Sequence, residues 1–193
     1  MQLRVPIRII AWCIMPNHWY LVLSPESDQD VSEYMRLVSI THVQRWHAFH
    51  KTSGTGALYQ GRFKACAVEE SEYLQTVLRY IEWNPLRANL AERADQWRWS
   101  SLRSRLGFSF TSSVNQPRLS LLPIALPRNW EEYVQLPQTE KERERFELAR
   151  IRKSVETGLP CGEEDWLKRT VKLLGLESLI SPKGRPKKKK ESE

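Results

Sequence analysis

The sequence predicts an α+β fold, because two strand-like runs come first and two helical patterns follow them. "LRVPIRIIAWCIM" and "HWYLVL" are rich in apolar β-branched and aromatic residues, and the turn signal "PN" separates them. Runs joined by so short a turn are expected to pair antiparallel. Apolar residues then recur at helical spacing from Asp30 and again from Ser71. We therefore expect an antiparallel strand pair with helices packed against it.

The first helix is predicted to run from Asp30 to about Lys51. Asp30 suits the N-cap, because a carboxylate there accepts hydrogen bonds from free backbone N–H groups. "TSGTG" ends the helix, and the alternating run "FKACAV" after the loop "ALYQGR" predicts a further short strand. The apolar positions with helical spacing are Val31, Met35, Val38, Val43, Trp46 and Phe49.

The second helix is predicted to begin at Ser71, with an apolar stripe at positions i, i+3, i+4 and i+7. Pro85 is expected to kink or end this helix, because proline has no N–H group and its ring clashes with the preceding turn. Two later helical stretches, "TEKERERFELARIRKSVETG" and "EEDWLKRTVKLLGL", each hold a glycine that is expected to cap the C-terminus. The stripe of the second helix consists of Leu74, Val77, Leu78 and Ile81.

The net charge of +7 is unevenly distributed along the 193 residues. Residues 1–130 carry 15 basic and 10 acidic side chains, residues 131–182 carry 9 and 11, and residues 183–193 carry 6 and 2. The three parts therefore contribute +5, −2 and +4. A basic first part and a basic tail suggest two places at which a polyanion could be held.

Membrane insertion and disulfide scaffolding are not indicated. No apolar run reaches the length of a membrane span, and no leader pattern opens the sequence, so a cytoplasmic protein without a membrane partner is expected. Cys13, Cys66 and Cys161 are odd in number and far apart, which suggests inert thiols.

Four polar residues stand out as candidates for chemistry. His18 and Tyr20 are two residues apart in a strand-like run, so their side chains are expected on one face. A phenol is protonated at neutral pH and binds metal poorly, so the pair is only half of a metal site. Tyr80 and Asn84 share a helix face at i and i+4. Three of them also have a structural explanation: His18 as a hydrogen-bonded histidine, Tyr80 as a core tyrosine and Asn84 as a capping group before Pro85.

Four blocks in order are similar to one family. "AWCIMPNHWYLVL", "LYQGRFKACAVEE", "EYLQTVLRYIEWNPLRANL" and "WRWSSL" resemble the single-tyrosine HUH transposases of single-stranded DNA, in particular the REP-associated tyrosine transposase branch. The resemblance covers roughly residues 5–105. It implies a ferredoxin-like α+β fold with helices on one face of a central antiparallel sheet. "SVETGLPCGEEDWLKRTVKLLGLES" and the "GRPKK" tail also look like the extension that many members of the branch carry.

The resemblance implies a divalent cation, Mg²⁺ or Mn²⁺, and a tyrosine nucleophile. In the family, a His-hydrophobic-His strand supplies two imidazoles to the metal, which withdraws charge from a DNA phosphate. The tyrosine then forms a phosphotyrosine link that conserves the bond energy for rejoining. By position, His18 is the first ligand, Tyr80 is the nucleophile, and Asn84 is a polar residue that can complete the metal site.

The chain departs from the family pattern at two places. Tyr20 stands where the second histidine belongs, so a cation is expected to bind weakly, if at all. Members usually have a strand and a helix ahead of "AWCIM", whereas only about ten residues precede it here. A missing strand would leave a sheet edge unpaired, so a truncated or decayed copy, or a misplaced start codon, is suggested. The unfavoured alternative is that one of the helix histidines replaces the ligand, namely His42, His47 or His50.

Further DNA contacts are expected in the loop that follows the first helix. Arg62 and Lys64 flank Phe63, an arrangement that suits phosphate contacts around a stacked base. A solvated pair around a core phenylalanine explains the pattern equally well. Trp97 and Trp99 are expected to form a hydrophobic lid rather than to stack on bases.

The tail "KGRPKKKK" resembles an AT-hook. In such a segment, Arg185 would follow the narrow minor groove of A·T-rich duplex DNA, while Lys187 and Lys188 would neutralise phosphates. The alternative is a nonspecific basic tail that aids solubility.

The expected organisation is a transposase-like domain over residues 1–106 that lacks the usual first strand and helix, a connector over 107–128, a helical extension over 129–180 and a basic tail over 181–193. The tail is expected to be disordered in isolation. The expected function is cleavage and rejoining of single-stranded or hairpin DNA in transposition, at the nucleoid, with an activity that Tyr20 makes uncertain. The alternative is an inactive DNA-binding remnant that recognises a hairpin or an A·T-rich element.

Overall fold

The computed structural model describes residues 4–108, 117–136 and 148–180. Two strands, β1 (Ile7–Ile14) and β2 (Trp19–Pro25), pair antiparallel with Ile7 opposite Pro25 and Ile14 opposite Trp19. The helices are α1 (Asp30–His50), α2 (Glu72–Arg87), α3 (Ser101–Arg105), α4 (Trp130–Gln135), α5 (Leu148–Thr157), α6 (Glu164–Leu173) and α7 (Glu177–Ile180). The predicted α+β class is confirmed.

The sheet is narrower than a ferredoxin-like sheet, since it has two strands among the described residues. The strand predicted over "FKACAV" is wrong: the segment forms no strand and makes one isolated bridge, between Val68 and Cys161. Further single bridges join Ile9 to Leu119 and Cys13 to Ser100. In place of further strands, the described residues form these three isolated bridges.

Helices lie against both faces of the strand pair, whereas one covered face was expected. The pairing of β1 with β2 has a register shift between Ile9 and Ala11. The regular alternation of β1 side chains between the two faces of the sheet is therefore interrupted there. One hydrophobic cluster joins β1 to α1 and includes Ile9, Trp12, Tyr34 and Met35. Another joins β1 to α2 and includes Ile10, Ala11, Leu74 and Leu78. β1 is therefore a central element, buried from both sides.

Helix α1 has the predicted bounds, but its two halves differ. Asp30 is not the N-cap; it is the first helical residue, and its carboxylate accepts the backbone N–H groups of Glu26 and Ser27. Tyr34 and Met35 are buried against β1. The C-terminal half of the predicted apolar stripe has no such cover, because Trp46 is 41% and Phe49 83% exposed.

Helix α2 begins as predicted, with the Ser71 hydroxyl accepting the Tyr73 N–H. Pro85 does not end the helix, which continues to Arg87. Pro85 lies in the last turn, where its missing N–H removes one hydrogen bond close to the natural end of the helix. Its ring is fully buried.

The glycines after α5 and α6 cap these helices as predicted. Gly158 and Gly175 both have positive φ, at 79° and 64°. The Gly158 N–H donates to the Ser154 carbonyl, and the Leu176 N–H reaches back to the Val171 carbonyl.

A buried carboxylate connects α2 to α3 and α4. Glu82 is fully buried and accepts hydrogen bonds from the Ser101 hydroxyl, the Arg105 guanidinium and the Trp130 indole. The Arg105 guanidinium also donates to the Ile10 carbonyl of β1. These bonds satisfy the carboxylate and hold α3 and α4 on the back of α2.

Within the described ranges, no helix combines the length and the apolar composition needed to cross a bilayer.

Candidate functional site

Two tyrosines meet where β2 passes the middle of α2. The hydroxyl oxygens of Tyr20 and Tyr80 are 3.3 Å apart, and the ring centroids are 5.7 Å apart at 75°. Tyr80 is 2% exposed, whereas Tyr20 is half-buried. The predicted nucleophile is therefore a buried phenol that contacts the residue at the expected second-ligand position.

His18 lies one residue before β2. The strand-like run had suggested instead that His18 is part of the strand. Its ring still meets the edge of the Tyr20 ring, with centroids 5.1 Å apart, so the prediction that the two side chains share a face is confirmed. Its Nδ1 lies 2.6 Å from the Asn17 side-chain oxygen. Burial, and then the charge of Arg87, lower the pKa of His18, so its imidazole is held in the neutral form.

Asn84 lies one turn after Tyr80 on α2, as predicted from the i, i+4 spacing. Its side chain is fully buried. Its Oδ1 accepts two hydrogen bonds from the Arg87 guanidinium, at 2.6 and 3.2 Å. Its Nδ2 is buried without a hydrogen-bond partner among the described residues. The Asn84 amide nevertheless lies close enough to Tyr20 to lower the pKa of that phenol.

The phenol of Tyr20 stays protonated. Burial raises its pKa, and so does the hydrogen bond with Tyr80; the Asn84 amide and the charge of Arg87 oppose this effect. The net direction is upward. Tyr20 can therefore donate a proton to, or accept one from, the Tyr80 oxygen, but at neutral pH it is not an anionic metal ligand.

Helix α5 supplies a cation that the sequence reasoning missed. The Tyr80 hydroxyl is a hydrogen-bond partner of the exposed Arg152 guanidinium and raises the pKa of Arg152, with Tyr20 adding to the effect. Ile151, the preceding residue, packs in the same hydrophobic cluster as Tyr80. No local pattern could have placed Arg152 here, because more than seventy residues of chain separate it from Tyr80.

Arg87 was also missed, although the sequence contains a signal for it. It follows Tyr80 by seven residues and Asn84 by three, so all three share a helix face. Its guanidinium carbon lies 5.8 Å from the centroid of the Tyr80 ring. Two guanidinium groups, from α2 and α5, thus stand beside the tyrosine pair.

This donor set does not fit a divalent cation. The Asn84 oxygen, which could bind a metal, is already held by Arg87, and the remaining side chains include the neutral imidazole of His18 and the protonated phenol of Tyr20. Guanidinium groups repel a cation electrostatically. In the described part of the chain, no three His, Cys, Asp or Glu side chains are grouped to hold a metal. We derive no step through Mg²⁺ or Mn²⁺ for this reason.

The three histidines of α1 have local partners instead. His42 contacts the Tyr59 hydroxyl at 2.6 Å, His47 contacts the Thr52 hydroxyl, and His50 contacts the Trp46 carbonyl. None has a recorded contact with His18 in the described residues. The structure does not bring them into the candidate site.

The structure does not bring the predicted loop cations to the tyrosine pair either. Arg62 and Lys64 are exposed and have no recorded contact with Tyr20 or Tyr80 in the described ranges. Phe63 between them is 41% exposed, which does not fit a core phenylalanine. A DNA contact by this loop stays a prediction.

Of the two tryptophans expected to form a lid, one packs near the site. Trp97 donates from its indole N–H to the Ile14 carbonyl and lies against the cluster that contains Tyr80. Trp99 is 39% exposed, with the Arg98 guanidinium 4.5 Å from its ring centroid. The tail residues Arg185, Lys187 and Lys188 lie outside the described residues.

The first part of the chain matches a known protein family. Residues 2–84 match the family model described as "Transposase IS200 like". The matched segment is just under half of the chain; it contains His18, Tyr20 and Tyr80, and it ends at Asn84. The match supports the transposase family and, with it, DNA as the partner. No curated protein and no solved structure matches the chain.

Proposed function

We propose that the protein binds single-stranded or hairpin-bearing DNA at the tyrosine pair and that Tyr80 is the nucleophile through which its lineage cleaves and rejoins DNA. The branch of the family would be the REP-associated tyrosine transposases. A protein that binds DNA in this way would be associated with the nucleoid. The proposal rests on the family match over residues 2–84 and on the chemistry of the groups around Tyr80.

One observation carries the proposal: the groups around Tyr80 are hydrogen-bond donors and cations. Arg87 and Arg152 flank the phenol pair, and the Asn84 Nδ2 is buried without a partner in the part of the chain that the structure describes. A phosphodiester accepts hydrogen bonds and carries a negative charge, so it complements such a set. An orphaned buried N–H costs free energy, which a phosphate oxygen at this place would recover.

In the proposed reaction, the Tyr80 oxygen bonds to phosphorus and the bond from phosphorus to a deoxyribose oxygen breaks. In the net step, the phenol proton is transferred to the leaving oxygen, so that a phosphotyrosine and a free hydroxyl result. Arg87 and Arg152 would bind the non-bridging phosphate oxygens, and Tyr20 would orient the Tyr80 hydroxyl through the contact at 3.3 Å. Rejoining reverses the same exchange of bonds.

A second candidate, an inactive DNA-binding remnant, is favoured by a different observation. Tyr80 is 2% exposed, its oxygen is already in contact with Tyr20, and Arg152 lies beside it. A nucleophile must approach within about 3–3.5 Å of phosphorus, which this burial opposes. The remnant would recognise a hairpin or an A·T-rich element without forming a covalent bond.

A covalent-adduct assay separates the two candidates. The full chain is incubated with an end-labelled, hairpin-bearing single strand and Mg²⁺ or Mn²⁺, and adducts are resolved on denaturing gels. An active enzyme forms an adduct that Tyr80→Phe abolishes and Tyr73→Phe retains; Tyr73 is a matched control, because it is also a buried tyrosine of α2. Salt-sensitive binding without an adduct supports the remnant. Binding that does not depend on salt would contradict both.

The tail is proposed to bind A·T-rich duplex DNA. If Arg185 occupies a minor groove, Arg185→Ala weakens binding to A·T-rich duplex more than binding to G·C-rich duplex. An equal loss on the two duplexes, measured by fluorescence anisotropy at one salt concentration, would show a nonspecific basic tail.

A further inference from the structure

Five aromatic rings form a continuous row along the C-terminal half of α1. His42, Trp46 and His50 are spaced at i, i+4 and i+8, so they lie on one helix face. Neighbouring ring centroids are 6.0 Å apart for His42 and Trp46, and 3.9 Å apart for Trp46 and His50, which are stacked. Tyr59 extends the row at one end and Phe49 at the other. We call these five residues the aromatic row.

The aromatic row is both fixed and open to solvent. Hydrogen bonds from His42 to Tyr59 and from His50 to the Trp46 carbonyl set the ring orientations. Trp46 is 41% and Phe49 83% exposed, so flat apolar surface faces water. Large aromatic side chains that lie side by side and exposed indicate a binding surface.

The segment of chain that carries the row has charges of one sign. Residues 37–68 contain four basic side chains and no acidic one, whereas Arg36 just before them is paired with Glu33. Arg45 precedes Phe49 by one helical turn, and Lys51 follows the row directly. The loop that leads to Arg62 and Lys64 contains Tyr59, which is itself part of the row.

We propose that the aromatic row binds the unpaired bases of single-stranded DNA, with the neighbouring Arg and Lys side chains on its phosphates. Stacking on aromatic rings beside a basic groove is the general physical basis of sequence-tolerant single-strand binding. The choice of DNA rather than RNA rests on the proposed function. The row contributes a second contact area, on α1, in addition to the tyrosine pair between β2 and α2.

A second copy of the chain is a poorer occupant of this face. In a two-fold dimer, the same patch meets itself, so Arg45 and Lys51 would face their own copies. Like charges brought together in this way oppose association. A polyanion with apolar base faces complements both the charge and the rings.

The test is the affinity of the full chain for fluorescently labelled oligothymidine, which forms no hairpin. Phe49→Ala is expected to raise Kd about tenfold, the effect of losing a stacked base. The matched control is Phe108→Ala, which removes an exposed phenylalanine (47%) from another surface and is expected to leave Kd unchanged. Arg45→Gln should lower the slope of log K against log salt by about 0.7, the effect of one lost phosphate contact, whereas Arg169→Gln in α6 should leave the slope unchanged.

A strand of abasic residues separates stacking from charge, since it keeps the phosphates and lacks the bases. On that strand, the unmodified chain and Phe49→Ala should bind equally. The inference is overturned if Phe49→Ala binds oligothymidine like the unmodified chain, or if its loss is as large on the abasic strand. It is also overturned if Phe49→Ala changes only the oligomeric state in light scattering, or if oligouridine binds more tightly than oligothymidine.

Binding of the hairpin-bearing strand distinguishes a failure of the aromatic-row proposal from a failure of the proposed function. If hairpin binding is salt-sensitive and Phe49→Ala changes neither hairpin nor oligothymidine binding, the aromatic row is refuted and the proposed function stands. If the unmodified chain binds neither DNA, both are refuted.

Discussion

The hydroxyl oxygens of Tyr20 and Tyr80 lie 3.3 Å apart, so the residue at the expected second-ligand position contacts the proposed nucleophile directly. A histidine at position 20 would present a nitrogen lone pair here. The phenol instead presents a hydroxyl whose raised pKa keeps it protonated. With Arg87 and Arg152 beside it, the site suits an anion better than a cation.

The first prediction concerns Arg152. Because its guanidinium is a hydrogen-bond partner of the Tyr80 hydroxyl, it lies where a phosphate at the tyrosine pair would bind. Arg152→Gln should weaken binding of a hairpin-bearing single strand and reduce the salt slope by about 0.7 to 0.9, the contribution of one phosphate contact. Fluorescence anisotropy over a series of salt concentrations measures both quantities.

Lys153 is the matched control, because it is the next residue on the same helix and is also exposed. Neighbouring helix positions point about 100° apart, so Lys153→Gln loses the same charge from a different face. If the two substitutions reduce affinity equally, α5 contributes only a general positive charge, and the prediction that Arg152 contacts a phosphate at the tyrosine pair is wrong.

The second prediction concerns the buried carboxylate of Glu82. Arg105→Met removes its cationic partner and leaves a fully buried charge, which should lower the free energy of unfolding by about 3 kcal/mol. Glu82→Gln in the Arg105→Met background should recover part of this loss, since it removes the stranded charge. Urea unfolding of four chains, namely the unmodified chain, Arg105→Met, Glu82→Gln and the double variant, measures the coupling. Arg98→Met on the exposed surface is the control and should change stability by less than about 0.5 kcal/mol. Additive effects at 82 and 105 would contradict the pairing.

The third prediction is a loss of stability in alkaline solution. Burial, with a smaller contribution from Glu82, raises the pKa of Cys13 from 9.0 to about 12. Below pH 9, the thiol is protonated in both states, so its full contribution to stability is present. As the pH rises above 9, the unfolded chain loses this proton first, and stability falls by up to about 1.4 kcal/mol per pH unit.

Cys13→Ala tests this origin of the pH dependence. The substitution lowers stability by a constant amount through the lost sulfur, but it should make the decline between pH 9 and 10.5 shallower. Part of the decline should remain, because burial also raises the pKa of Cys66, to about 11, and that thiol contributes a similar slope over this range. An identical slope for Cys13→Ala and the unmodified chain in denaturant titrations would rule out the contribution of this thiol.

Local periodicity was sufficient to predict the parts of the site that lie close together in sequence. The two-residue spacing of His18 and Tyr20 and the four-residue spacing of Tyr80 and Asn84 are fixed by backbone geometry, and the structure shows both relationships. Arg152 could not be found in this way, because only the folding of α5 onto the cluster around Tyr80 brings it near.

The limits of periodicity are also visible in α1 and β1. The apolar stripe of α1 continues to Phe49, but periodicity does not tell whether another element covers each turn of the stripe. The register shift after Ile9 depends on how β1 pairs, so the covering of both faces could not be predicted from alternation in one strand.

The last prediction returns to position 20. Tyr20→His would place a second imidazole beside His18, whose ring is now 5.1 Å from that of Tyr20. Two imidazoles on one face suit a transition-metal cation better than one imidazole and a phenol do. The affinity for Mn²⁺, measured by isothermal titration calorimetry, should therefore rise at least about tenfold, the usual scale of a change around a metal ligand. Tyr20→Phe is the control, since it removes the hydroxyl without adding a ligand, and it should leave Mn²⁺ affinity unchanged.

The same variant should then form a covalent adduct with a hairpin-bearing strand in the presence of Mn²⁺, and the additional change Tyr80→Phe should abolish it, because the attacking oxygen is gone while the ring packing remains. An adduct that persists after Tyr80→Phe would exclude Tyr80 as the nucleophile. Tighter Mn²⁺ binding without any adduct would show that the burial of Tyr80, and not the missing ligand, blocks the reaction. Strong adduct formation by the unmodified chain would show instead that a tyrosine at position 20 is compatible with catalysis and that the two guanidinium groups are sufficient to bind the phosphate.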